Sequence, residues 1–100
     1  MQPPPDSLYR NAIEPLVAEE VHRQLQTLPS QLVPYIKPAE VIAYALNRLP
    51  PFYATSEEGW QQQLHRAKTQ LMPEIVRAVR QGLAAVQRDP LRVSTPLKRK

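Results

Sequence analysis

The sequence predicts an all-α fold, a small domain of three main helices at about residues 8–28, 38–48 and 56–88, the last kinked near Pro73. Three observations predict it. Apolar residues recur at steps of three and four through each stretch. Prolines at 29, 34, 50 and 51 fall between the stretches, where they push the preceding residue out of the helical region. A Ser/Thr-Glu-Glu run at 55–58 has the pattern of a helix start.

In the first helix Ile13, Leu16, Val17, Val21, Leu25 and Leu28 keep helical spacing. Glu19 and Arg23 form an i,i+4 pair. The helix begins near Ser7 or near Asn11. Pro15 therefore either sits in the first turn, with Asn11 as cap, or kinks a longer helix. Residues 29–37 form a connector with a turn of helix around Leu32.

Residues 37–60, KPAEVIAYALNRLPPFYATSEEGW, organise the rest. Pro38 suits the first position of a helix, where its missing N–H has no partner to lose. Val41, Ile42, Ala45, Leu46 and Leu49 share one arc of that helix. Lys37, Glu40, Tyr44, Asn47 and Arg48 share the other, so an acid, a phenol, an amide and two cations lie side by side. The turn delivers Phe52 and Tyr53 to the next helix. Thr55 is expected to cap it, with Glu58 as the reciprocal partner. The open N–H groups and positive dipole end there suit an anion.

The third helix carries Trp60, Leu64, Ala67, Leu71, Ile75, Val79, Leu83 and Val86 in one phase. The phase continues across Pro73, which predicts one kinked helix and not two. Such a helix spans about 48 Å, more than a short domain covers alone. Its second half (Ile75, Val76, Val79, Leu83, Val86) is the expected homodimer seam, unless the first helix folds back over it. Asp89-Pro90 ends it. Residues 1–7 read as a proline-rich leader and 91–100 as a basic mobile tail around an 8–90 domain.

One hundred residues make one domain. The chain has no cysteine, which excludes disulfides and a cysteine-built zinc site. No metal is expected. The net charge of +4 is a tail property, carried by Arg92, Lys98, Arg99 and Lys100. The body is neutral, which argues against nucleic acid. No signal peptide or membrane-length apolar run is visible, so a cytoplasmic protein is expected. There are only two glycines, no Gly-rich phosphate loop and no GxSxG motif, so no enzyme is expected.

The run EVIAYALNRLPPFYAT, with Leu46-Asn47 followed by Pro51-x-Tyr53-x-Thr55, resembles the signature of the ComFB family of late competence development proteins. Upstream, NAIEPLVAEEV resembles the family's first helix. The resemblance covers residues 10 to 90, and ALNRLPP and ATSEEGW look most like its cyanobacterial branch. Some relatives carry a cysteine cluster between the first two helices; here LPSQLVPYIKP stands in that place. The resemblance implies small helical homodimers that act as cytoplasmic receptors for cyclic dinucleotides. It also implies signalling through a transcription factor or other protein, toward competence, type IV pili or cell size.

A cyclic dinucleotide offers two phosphates and two purines. Arginine can clamp the first or stack on the second, tyrosine can stack, and amides and carboxylates can read base edges. Lys37, Glu40, Tyr44, Asn47, Arg48 and Tyr53 supply these groups, and Thr55 and Ser56 stand at a helix start. Arg77 and Arg80, one turn apart, are further candidates across a dimer. Each has a plainer reading: Glu40 on the helix dipole, Asn47 as a cap, Tyr44 and Tyr53 as half-buried core, Thr55 and Ser56 as caps, the arginines as a solvated face. His22 and His65 lack metal-ligand spacing and read as surface. Glu19-Glu20 and Glu57-Glu58 read as helix solubility and first-turn charge. Taken alone, these residues favour the plainer readings; the resemblance turns them toward a receptor for cyclic di-GMP ahead of cyclic di-AMP. A helical interaction module and a nucleic-acid binder are the alternatives.

Overall fold

The computed structural model describes residues 8–87 together with 95, 97 and 98. The expected leader, the Asp89-Pro90 stop and most of the basic tail lie outside them; Thr95, Leu97 and Lys98 are exposed. The elements run β1 (Arg10–Asn11), α1 (Ile13–Leu25), a 3-10 turn (Val33–Tyr35), α2 (Pro38–Leu46), β2 (Tyr53–Ala54), α3 (Glu57–Gln70) and α4 (Met72–Gln87). The fold is mostly helical, as expected, but the described residues form four helices and a two-stranded ribbon.

The ribbon corrects the first expected helix. Arg10 pairs with Ala54 and Asn11 with Tyr53, antiparallel. Asn11 Oδ1 accepts from Ile13 N at 3.2 Å and from Phe52 N at 2.8 Å, and Ala12 N donates to Phe52 O at 2.8 Å. The chain before Ala12 is thus held extended against residues 52–54. Pro15 is the third residue of α1, where a helix has no use for an N–H, so it kinks nothing. At the other end Thr27 Oγ1 donates to Gln24 O at 2.7 Å and closes the last turn before Pro29.

α2 begins at Pro38, as its sequence demands, and ends with Asn47 in the C-cap position. α3 starts one residue later than expected. Ser56, not Thr55, is its N-cap, and its Oγ accepts from Gly59 N at 3.0 Å. The third helical position is then Gly59, so the reciprocal bond expected of Glu58 has no place.

The expected long helix is two helices separated by Leu71, whose φ of −119° and ψ of −4° depart from helical values. Pro73 is the cause: its ring collides with the carbonyl four residues back. The apolar phase gives no sign of the break, which is one residue long. Leu71 N still donates to Ala67 O (2.9 Å) and Ile75 N to Leu71 O (3.0 Å), so the apolar stripe keeps its phase across the junction.

α4 packs mainly against α2 and also against α1, and α1 packs against α2. Ile13, Val17 and Val21 of α1, Val41 and Ala45 of α2, and Ile75 and Val79 of α4 are fully buried at the centre. This corrects the expected dimer seam. Ile75 and Val79 are 0% exposed and Leu83 only 7% within one chain. α1 and α2 cover that face, leaving Val76 and Val86 at its half-buried margins.

A polar link crosses this core. Glu20 is 5% exposed, in the middle of α1's apolar arc. It accepts Arg23 Nε at 2.9 Å and Gln24 Nε2 at 2.7 Å, and Gln24 Nε2 also donates to the Val76 carbonyl of α4 at 3.1 Å. Arg23 therefore pairs with Glu20, not with Glu19 as its spacing suggested. The Arg23 hydrogen bonds hold the Glu20 carboxyl below its ordinary range, against desolvation that pushes it up; Gln24, Arg23's charge and Arg80 add to the lowering. His22 and His65 are exposed, as their spacing suggested.

Candidate functional site

The polar arc of α2 forms one face. Lys37 flanks its start and is exposed, Glu40 in the first turn is half-buried, and Asn47 and Arg48 are exposed at its end. The Arg48 guanidinium carbon lies 3.4 Å from the Tyr44 ring centroid, and Nη1 donates to the Tyr44 carbonyl at 3.1 Å. The i,i+4 spacing makes this stack possible. Tyr44 is itself held from below, because α4 has Gly82 where its ring arrives. The result is a planar cation laid over a supported aromatic ring, with its outer surface open.

The ribbon and the start of α3 build a second place. A cavity of about 280 Å³ opens between Tyr9 and Arg10 on one side and Thr55, Ser56, Glu57 and Trp60 on the other. Pairing of β1 with β2 brings the two sides together. Tyr53 stands beside it, 53% exposed rather than half-buried, with its ring 5.9 Å from that of Tyr9 in an edge-to-face contact. Ser56 Oγ takes the N–H of Gly59 and Ser56 O takes that of Trp60. The N–H groups of Glu57 and Glu58 remain outside the intrahelical pattern.

Arg77 and Arg80 are exposed on α4 but do not join the Tyr44–Arg48 face of their own chain. Gly82 marks the side of α4 that meets Tyr44. At about 100° per residue, Arg80 points about 160° away from it and Arg77 about 140°. Arg80 instead contributes its charge to Glu20.

The expected site residues thus fall into three groups: the α2 face, the cavity margin with Tyr53, Thr55 and Ser56, and the two arginines on the far side of α4. Sequence reasoning missed Tyr9 and Arg10, which precede the expected core and carry no periodic signal. It read Trp60 only as core. Its indole is half-buried and lines the cavity as well. Among the described residues no group of three or more His, Cys, Asp or Glu comes together as a metal site would need. No helix there is long and apolar enough to cross a membrane.

These features define a small, mostly helical domain with a stacked polar face and an aromatic-edged cavity. The family model of the late competence development protein ComFB matches residues 10–90. The chain belongs to the ComFB family. No curated protein matches it.

Proposed function

We propose that this protein is a non-enzymatic, cytoplasmic receptor for a cyclic dinucleotide, with cyclic di-GMP ahead of cyclic di-AMP, of the kind found in the cyanobacterial branch of the family. The observation that carries the reading is the Arg48 guanidinium stacked on Tyr44 and open on its outer face, in a chain of the ComFB family. A purine stacks on such a plane, and its edge meets Asn47 and Glu40, groups able to read base edges. Lys37 supplies charge for a phosphate on the same face. Tyr53, Thr55 and Ser56 extend the site toward α3. Arg77 and Arg80 reach a ligand on the α2 face only from a second copy, in a homodimer whose seam lies elsewhere than on the covered face of α4.

The ligand is held, not transformed. To signal, it must favour one conformation or assembly of the receptor over another, and so change the contact with a transcription factor or other partner protein. Calorimetric titration with cyclic di-GMP and cyclic di-AMP, with linear pGpG and pApA as controls, tests the reading. Micromolar or tighter binding of one cyclic ligand is expected. No heat and no change in melting temperature with either sinks it, and leaves a helical interaction module to be pursued through protein partners.

A further inference from the structure

We propose that the cavity between the β ribbon and α3 takes one purine nucleotide half of the ligand, gripped by Tyr9, Arg10 and Trp60. This rests on the receptor reading above and places half of the ligand at residues outside the α2 face.

The ribbon and the two residues before it present exposed apolar surface. Leu8, Tyr9 and Tyr53 are 51%, 70% and 53% exposed, large apolar side chains gathered at one short clasp. Two of them are rings fixed edge to face. With Trp60 across the cavity, an entering base meets aromatic surface from both α3 and the ribbon. Base-on-aromatic stacking works for every base, because each has a π-face.

The charges choose the occupant. Arg10 and Glu57 both line the cavity. A bare phosphate gains from Arg10 but is repelled by Glu57, and a simple cation meets the reverse. A nucleotide satisfies both, because it carries an anion for Arg10 and base N–H donors for the Glu57 carboxylate. Thr55 and Ser56 add hydroxyls at the mouth.

Size sets how much enters. Sites that enclose a whole drug-sized ligand run from about 300 to 1,000 Å³. At about 280 Å³ the cavity stands at the small end of that range, while a cyclic dinucleotide holds two complete nucleotides. One half enters and the other stays outside.

Trp60 is the only tryptophan of the chain, so its emission comes from one place, the wall this cavity shares with the core. The test titrates the full-length protein with cyclic di-GMP, cyclic di-AMP and GMP, by calorimetry and by Trp60 fluorescence in parallel. Tyr9→Ala and Arg10→Ala are compared with Lys68→Ala, whose side chain lies at a separate groove beside α1. Tyr9 and Arg10 are exposed, so both variants are expected to fold, which melting curves check. Expected are a change in Trp60 emission that saturates with the calorimetric isotherm, and a loss of affinity of about tenfold in each clasp variant. Lys68→Ala should stay within about twofold. Calorimetric binding with unchanged Trp60 emission and wild-type affinity in both clasp variants overturns this assignment and leaves the receptor reading standing. No binding of any of the three ligands by the unmodified protein overturns both.

Discussion

Gly82 of α4 lies directly beneath the ring of Tyr44. A Cβ at position 82 would stand 3.2 Å from Tyr44 Cδ1, 3.2 Å from the Val41 carbonyl oxygen and 3.3 Å from Val41 Cγ1. The ring can swing aside, but the backbone carbonyl moves only if α2 moves. Alanine gains about 1 kcal/mol of helix preference over glycine, while overpacking a core contact costs about 1–3 kcal/mol. Gly82→Ala is therefore expected to lower stability by about 1 kcal/mol, and Gly82→Val by more. Urea denaturation of both reads this directly. A more stable alanine variant would mean that α2 and α4 have slack between them.

The Asn11 side chain ties the start of α1 to Phe52, 41 positions further along the chain than Asn11 itself. Asn11→Ala leaves the N–H groups of Ile13 and Phe52 without their acceptor in a half-buried place. A cost of about 2–3 kcal/mol is expected. Asn11→Asp keeps an acceptor oxygen and is expected to recover most of it. Hydrogen exchange at Phe52 and Ala12 should rise in the alanine variant before exchange in α4 does. Equal rises throughout would show that the clasp opens only with the whole fold.

That clasp also marks where the sequence stops being readable. α2 was legible because Pro38 fixes its first turn and Val41 and Ala45 recur with helical period; both are fully buried. The ribbon has two residues per strand, too few for any period, and its pairing depends on contacts across some forty residues. The break at Leu71 was hidden because hydrogen bonds on either side preserve the apolar phase. Of the candidate site, helical spacing put Tyr44 and Arg48 side by side on one face, but did not foretell the stack of one on the other. The place of Tyr9 and Arg10 had no such signal, since only the ribbon brings them to Trp60. Glu20 is a different kind of miss. It stands three residues after Val17 and seven after Ile13, and Gln24 follows four later, so both lie in the apolar arc. Adjacency to Glu19 made Glu20 look like surface.

The burial of Glu20 gives the fold a dependence on acid. Its carboxyl is held below the ordinary value of 4.5, chiefly by the Arg23 hydrogen bonds. A group with a depressed folded-state pKa contributes its stabilisation above its unfolded value and loses it as pH falls through the folded one. The wild type is therefore expected to lose stability progressively as pH drops below about 4.5. Glu20→Gln cannot ionise. It should be less stable at neutral pH by about 1–2 kcal/mol, discounted because Arg23 is largely solvated. The gap should narrow steadily with acidification. Melting curves of both proteins between neutral pH and pH 3 make the comparison. Parallel curves would mean that other carboxylates carry the acid response.

Arg48 is where the functional reading is most exposed to test. It lies beyond the last residue of α2, is solvent-exposed, and donates from its side chain to the carbonyl of Tyr44. Removing it should leave the helical circular dichroism intact. Arg48→Ala and Asn47→Ala are each expected to weaken cyclic dinucleotide binding by about tenfold or more. Arg48→Lys keeps the charge and loses the planar fork that lies over Tyr44. If the guanidinium serves as a stacking surface, lysine should bind nearly as poorly as alanine. If it serves only as a charge near a phosphate, lysine should recover most of the affinity, and the recovered part should shrink as salt is raised. Unchanged affinity in both alanine variants moves the site off α2. Loss only in the Tyr9 and Arg10 variants would then place it at the clasp, with the Tyr44–Arg48 stack reduced to a device that closes the end of the helix.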